Sequence, residues 1–351
     1  KIMNRKIDKE NMFKSIWEFV DNLEDAYLLG DNIQLKNKYL NINNIIIAGM
    51  GGSAIGGDVA FVLERNNLKI PFQVIRDYSC PSYVNKNTLV ICSSYSGNTE
   101  ETISVFMDAI KKGAMVCGIT TGGLLEKELT KRDLDIILVP KGLQPRAALA
   151  YSFIPIIKFM NKIEIINSSI DTWLKTSIEA LRNHRKTYSE EKLNNPVYAI
   201  ADKIKNKLPV IYSDSSSMAI AAIRFKGQLA ENSKMLSYNN ELPELNHNEI
   251  VGWENNLELL SNFVVLWLKD SDDNKRVKSR QIITSHILRE INIEQHNIFV
   301  EGNSFEERFL NMIHFGDWLS YWCALLHRTD PSPVQKINRL KEELSQINDP
   351  S

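Results

Sequence analysis

The β-branched run Ile45-Ile46-Ile47 passes directly into Ala48-Gly49-Met50-Gly51-Gly52-Ser53-Ala54-Ile55-Gly56-Gly57, and no other junction in the chain constrains its fold as strongly. Such a run suits a buried parallel strand, and the glycines after it require a tight turn at the strand's C-terminal end. Gly49, Gly51 and Gly52 lack the Cβ atoms that would keep an anion from the backbone, and Ser53 opens a helix whose first N–H groups are free. A phosphate suits that place. The same residues also fit the dinucleotide pattern G-x-G-x-x-G/A, with Asp77 after a second strand at Phe72–Arg76. On this loop alone a structural turn, a dinucleotide site and a sugar-phosphate site all stay open.

The residues downstream favour an α/β fold. Helical spacing of Phe13, Ile16, Trp17, Val20, Leu23 and Tyr27 predicts a leading helix over Asn11–Leu29. A helix over Ala54–Arg65 follows the glycine loop, and strands are expected at Phe72–Arg76, Leu89–Ser93, Ala114–Thr120 and Asp135–Val139 with helices between them. That alternation is the grammar of a parallel sheet. The region Ile163–Leu193 reads as helix stopped by Asn194-Asn195-Pro196, which marks the domain junction. A second α/β pattern follows, with strands at Leu208–Tyr212, Phe263–Leu268 and Ile298–Val300 and the hydroxyl loop Ser213-Asp214-Ser215-Ser216-Ser217. Helices are expected at Arg276–Glu290 and Ser304–Leu326, the latter with Trp318, Tyr321 and Trp322 as core, and a last helix at Val334–Ile347. A chain of 351 residues is long enough for two domains. They are expected at 1–160 and 196–351, with a helical connection over 161–195.

Composition removes several classes of function. The formal net charge is −1 and the lysines form no single stripe, so neither nucleic acid nor an anionic membrane is an expected partner. Cys80, Cys92, Cys117 and Cys323 show no metal-ligand spacing and read as reduced core thiols. No segment has the roughly 18 apolar residues of a membrane span. The charged stretch Lys1–Glu10 has no apolar signal-peptide core after it, and the expected location is cytoplasmic.

A second informative loop, Ser94-Tyr95-Ser96-Gly97-Asn98-Thr99, lies between a strand end and a helix start, where orphan N–H groups and the macrodipole favour an anion. Capping needs one side chain, Asn98 or Ser96, with Glu101 as its reciprocal partner. Ser94, Ser96 and Thr99 together exceed that need and point to phosphate. Arg146, after Pro145, fits either a solvated charge or a guanidinium aimed at a developing oxyanion. Glu231 ends the helical run from Met218, and His247 lies in the polar, proline-broken loop Glu241–Glu249. For both, a plain surface role stays open. His184 reads as a solvated face, and His286, His296, His314 and His327 lack metal-ligand spacing.

Taken together, Gly49–Ser53, Ser94–Thr99, Pro145–Ala148, the Glu231 run, Asn246–Glu249 and the tail Thr329–Lys336 resemble the sugar isomerase (SIS) fold. More closely, they resemble the bifunctional phosphoglucose/phosphomannose isomerase family, over nearly the whole chain. The resemblance implies two SIS-type domains, each a parallel β-sheet flanked by helices, with N- and C-terminal helical extensions. It implies a phosphate cradle of Ser53, Ser94, Ser96 and Thr99 with Gly52 beside it, Glu231 as general base and Arg146 at the enediolate. It further implies His247 as the ring-opening group supplied by the neighbouring subunit of a homodimer, Lys336 near the sugar and Thr329 admitting the mannose epimer.

The implied chemistry is coherent. Aldose–ketose interconversion requires ring opening, removal of a proton from C2 and its return to C1. A positioned base contributes roughly 10²–10⁴-fold and one oxyanion donor roughly 3–4 kcal/mol, so neither suffices alone. No clustered His/Glu set of zinc type is present, and no metal or other cofactor is expected. The expected reaction joins glucose-6-phosphate and mannose-6-phosphate to fructose-6-phosphate. The alternatives are a non-catalytic sugar-phosphate regulator, an SIS isomerase of another sugar phosphate, and an NAD-dependent dehydrogenase that rests on the first loop alone.

Overall fold

A computed structural model describes residues 5–347 of the chain. The expected outer domain limits, residues 1 and 351, lie outside them, as does the beginning of the stretch Lys1–Glu10. The leading helix is two helices, α1 (Met12–Trp17) and α2 (Phe19–Asp31), joined at Glu18. The apolar face continues across the joint, because Met12, Ile16, Phe19, Val20 and Leu23 are all buried.

The first sheet contains β1 (Asn44–Ala48), β2 (Phe72–Ile75), β3 (Thr88–Ser94), β4 (Met115–Thr120) and β5 (Asp135–Leu138). Its helices are α3 (Gly51–Glu64), α4 (Glu100–Lys111) and α5 (Gly123–Lys131). The strands are parallel in the order β2-β1-β3-β4-β5. Helix α3 starts inside the glycine cluster, at Gly51 and not at Ala54.

Three helices, α6 (Ala150–Lys162), α7 (Ile170–Tyr188) and α8 (Pro196–Ile204), lead to the second sheet. The expected stop at Asn195-Pro196 is a helix start: the Asn195 side chain accepts the Val197 N–H, and Pro196 occupies the first turn, where it lacks only an N–H that has no intrahelical partner. The remaining elements are β6 (Leu208–Asp214), α9 (Ala219–Ser233), β7 (Tyr238–Leu242), α10 (Leu257–Leu260), β8 (Phe263–Lys269), α11 (Lys275–Glu290), β9 (Glu294–Phe299), α12 (Phe305–Leu326) and α13 (Gln335–Ser345). Their parallel order is β7-β6-β8-β9. Strand β9 lies earlier than the expected Ile298–Val300, and β7 was not expected. Both are edge strands with half-exposed polar residues, so neither shows the continuous apolar run of a central strand.

One apolar cluster joins the two halves, running from Ile45 and Ile47 on β1 to Leu266 on β8. Helix α12 is its axis, packed against α7, α8 and α9, with Trp318, Tyr321 and Trp322 fully buried. Truncating a buried aromatic of this size costs about 3–5 kcal/mol. Helix α3 packs on both α6 and α9, which brings the glycine loop of the first sheet against the second half. All four cysteines are buried and free. Among the described residues no helix is long and apolar enough to cross a membrane.

Candidate active site

The two loops at the C-terminal ends of β1 and β3 converge. Ser53, buried in the first turn of α3, accepts the Tyr95 N–H at 3.3 Å. Ser94 accepts the Gly97 N–H at 3.1 Å and pairs with the Thr99 hydroxyl at 2.8 Å. Gly97 has φ +70°, and a Cβ there would meet the Gly122 carbonyl oxygen at 1.7 Å, so the turn excludes any other residue. The capping reading of this loop does not hold. Thr99 precedes α4 without a side-chain cap, and Asn98 instead accepts the Leu124 N–H of α5 at 2.9 Å. The start of α4 thus keeps its N–H groups beside the hydroxyls of Ser94 and Thr99, as an anion site requires. Ser96 is more exposed and accepts the Asn98 N–H at 3.2 Å. Among the described residues none of these four hydroxyls is bonded to a carboxylate.

Arg146 sits in a short 3-10 turn, Pro145–Ala147, against Gly52, where a Cβ would come within 2.7 Å of the Pro145 carbonyl oxygen. Its side chain is 5% exposed, so the solvated-charge reading is replaced by the cleft reading. Nε donates to Asn232 Oδ1 at 2.6 Å, Nη1 to Glu231 Oε2 at 3.3 Å, and Nη2 to the carbonyls of Pro331 and Ser332 at 2.8 Å each. A guanidinium has five N–H groups, so these contacts leave one, on the nitrogen next to Glu231. Burial lowers the Arg146 pKa and the Glu231 carboxylate opposes that shift; the group stays a cation.

Glu231, one-third exposed, lines a cleft of about 630 Å³ together with Gly52, Arg146, Arg224, Gly227 and Gln228. The tail loop is tied to Arg146 and to the end of α9. Lys234 donates to the carbonyls of Glu231 at 2.8 Å, Asp330 at 3.0 Å and Pro331 at 3.1 Å, which fastens the end of α9 to the loop that carries Thr329. Burial and the nearby Arg146 lower the Lys234 pKa. Arg224 binds both oxygens of Asp317 at 2.9 Å and the Arg146 carbonyl at 3.0 Å. Asn232, Lys234, Arg224 and Asp317 escape sequence reasoning. The one available signal is the spacing of Arg224, Gln228 and Glu231 at i, i+4 and i+7, which shares a helix face.

Of the expected site residues, Gly52, Arg146 and Glu231 line this cleft, whereas Ser53, Ser94, Ser96, Thr99 and the half-buried Thr329 are not among its lining residues, and neither are His247 and Lys336. His247 is exposed on the 3-10 turn Glu244–His247. Its loop is firmly held: Asn246 donates to Thr284 at 2.9 Å, and Glu249 accepts from Tyr212, Asn240 and, at 2.9 Å, Tyr238. Lys336 is exposed on α13, a helix that buries none of its residues. His184 is also a correction: it is half-buried and stacked on Tyr188 at 5.7 Å, and burial lowers its pKa.

The chain is similar to known proteins. The model of the bacterial phospho-glucose isomerase C-terminal SIS domain matches residues 193–344. A bifunctional phosphoglucose/phosphomannose isomerase of Caldicellulosiruptor bescii is 42% identical, covering 96% of this chain and 100% of its own. One of the same description from Aquifex aeolicus is 39% identical over 86% of this chain and 90% of its own. Among solved structures, the C-terminal domain of glucosamine-fructose-6-phosphate aminotransferase from Francisella tularensis superposes with a TM-score of 0.70 at 18% identity, covering 92% of this chain and 98% of that one. At that identity the likeness concerns the fold.

Proposed function

The chain belongs to the bifunctional phosphoglucose/phosphomannose isomerase family, and from that premise we propose that it interconverts glucose-6-phosphate and mannose-6-phosphate with fructose-6-phosphate at one site. The observation that carries this reading is the pairing of Glu231 with a buried Arg146 that has a single N–H left to offer. Glu231 takes the C2 proton of the opened aldose and returns it to C1, while the proton of the C2 hydroxyl passes to the C1 oxygen. The electron pair moves to the carbonyl oxygen, and the remaining Arg146 N–H bonds the enediolate oxygen that results. Ser53, Ser94, Ser96 and Thr99, beside Gly52, hold the phosphate, whose binding energy positions the reacting carbons.

Glucose-6-phosphate and mannose-6-phosphate differ at C2, and rotation about C2–C3 brings either proton to the same base. Thr329 gives room for the second epimer and Lys336 approaches the sugar. His247 supplies the ring-opening proton from the other subunit of a homodimer; its exposure on a well-anchored turn supports that role. The reaction needs no metal, and it serves glycolysis and gluconeogenesis in the cytoplasm. The domain division at 1–160, 161–195 and 196–351 belongs to the same reading.

The test is turnover of fructose-6-phosphate by chelator-treated protein, with both aldose products measured separately. Both products are expected, and Glu231→Gln lowers both rates together by roughly 10²–10⁴-fold. Mixed Glu231→Gln and His247→Ala chains regain activity on re-association. One product alone removes the role of Thr329, neither product removes the isomerase, and inactive heterodimers argue for a site built within one chain.

A further inference from the structure

Helix α9 forms one wall of the cleft with Arg224, Gly227, Gln228 and Glu231. Asp317 holds two of them, accepting from Arg224 Nε and Nη2 and from Gln228 Nε2, all at 2.9 Å. Among the described residues this leaves Arg224 Nη1 as a donor and Gln228 Oε1 as an acceptor without protein partners. Gly227 stands between them in mid-helix, where only proline is a worse choice.

The other α-helical glycines have reasons within the chain. A Cβ on Gly30, Gly52, Gly56, Gly57 or Gly316 would meet a neighbour at 2.4, 2.7, 1.9, 2.9 or 2.3 Å, and Gly51 and Gly123 have positive φ. A Cβ on Gly227 meets nothing within 4 Å, and its φ is ordinary. Neither packing nor backbone conformation calls for the missing side chain. Gly227 lies four residues before Glu231, so a methyl there would stand about 5–6 Å from the Cβ of the proposed base, inside the cleft.

We propose that Gly227 is a specificity-determining residue of the isomerase site, its missing side chain being the space in which the sugar phosphate's carbon chain lies along α9 to reach Glu231. The hydroxyls of that chain then lie between the Arg224 donor and the Gln228 acceptor. This rests on the isomerase reading, and a binding measurement separates the two.

Gly227→Ala and Gly227→Leu are compared with the natural chain by thermal unfolding, by calorimetric titration with fructose-6-phosphate and with inorganic phosphate, and by turnover. The alanine variant is expected to unfold at the same or a higher temperature, since alanine favours the helix. Its affinity for fructose-6-phosphate and its kcat/KM fall at least tenfold, those of the leucine variant at least a hundredfold, and inorganic phosphate binds within twofold in all three. Variants that bind fructose-6-phosphate within twofold of the natural chain overturn the proposal. So does a loss of affinity that accompanies dissociation of the oligomer in light scattering, because the glycine would then serve an interface. If the natural chain binds the sugar phosphate without turning it over, the isomerase reading fails while the binding arm still decides the role of Gly227. No binding by the natural chain overturns both.

Discussion

The two sheets share a strand order, β2-β1-β3-β4 against β7-β6-β8-β9, yet their corresponding loops have opposite chemistry. After β3, Ser94 and Thr99 bond each other and a backbone N–H, so their lone pairs and the start of α4 stay available to an anion. After β8, the loop carries Asp270, Asp272 and Asp273. Arg308 closes on Asp270 through Nε at 2.6 Å and Nη2 at 3.1 Å, while Asp273 takes the Ser217 hydroxyl, the Asp270 N–H and Gln281 Nε2. Asp214, at the end of β6, takes Ser216 and the Asn274 N–H. Topology alone therefore does not make a phosphate site. What distinguishes the first loop is hydroxyl groups that no carboxylate has claimed.

The largest expected effect separates the loops by activity. Replacing Ser94 and Thr99 together by alanine removes two hydrogen bonds to a charged group, each worth about 1.5–3 kcal/mol. Steady-state kinetics should show kcat/KM for fructose-6-phosphate falling by about 10²–10⁴-fold, with thermal stability nearly kept; a loss under threefold would move the phosphate elsewhere. Next comes the converse. Arg308→Met leaves Asp270, 1% exposed, as a buried carboxylate without its cation. Removing one partner of such a pair costs about 3–5 kcal/mol. Denaturant unfolding should register that loss while kcat/KM of the folded fraction stays within threefold. A kinetic defect as large as the cradle's would mean that the second loop also contacts substrate.

How much of this is legible in the sequence follows from range. Strands β3, β6 and β8 are buried throughout or nearly so and read as unbroken apolar runs, whereas β7 and β9 are edges whose Tyr-Asn-Asn-Glu and Glu-Gln-His-Asn segments resemble loop. The hydroxyl cradle is legible because a strand end, a glycine and a helix start are contiguous. Arg146 is legible as a residue but not as a clamp, because its side chain is held by groups between 85 and 186 positions away. The Arg224–Asp317 pair spans 93 positions and has no local signature at all. The difference between the two hydroxyl loops is hidden for the same reason: Ser217 is spoken for by Asp273, which lies 56 positions later.

That last pair provides the smallest and most discriminating expectation. Burial raises the Asp273 pKa above the ordinary carboxylate value, and the Ser217 hydroxyl, the Asp270 N–H and Gln281 pull it back down by favouring the charged form. A carboxyl with a raised folded pKa binds its proton more tightly folded than unfolded, so its contribution to stability falls as pH rises from the unfolded value through the folded one. Donation from Ser217 limits that fall. Ser217→Ala should therefore destabilise the protein by about 1–3 kcal/mol while Asp273 is ionised. The difference from the natural chain should shrink as pH drops into the carboxylate range and Asp273 becomes neutral, while the kinetics at pH 7 stay unchanged. Urea unfolding of both chains from pH 7 to pH 4 reads the sign directly. A gap that widens on acidification would mean that Ser217 serves the protonated acid, and the second loop would then be closed by a shared proton and not by a sealed charge.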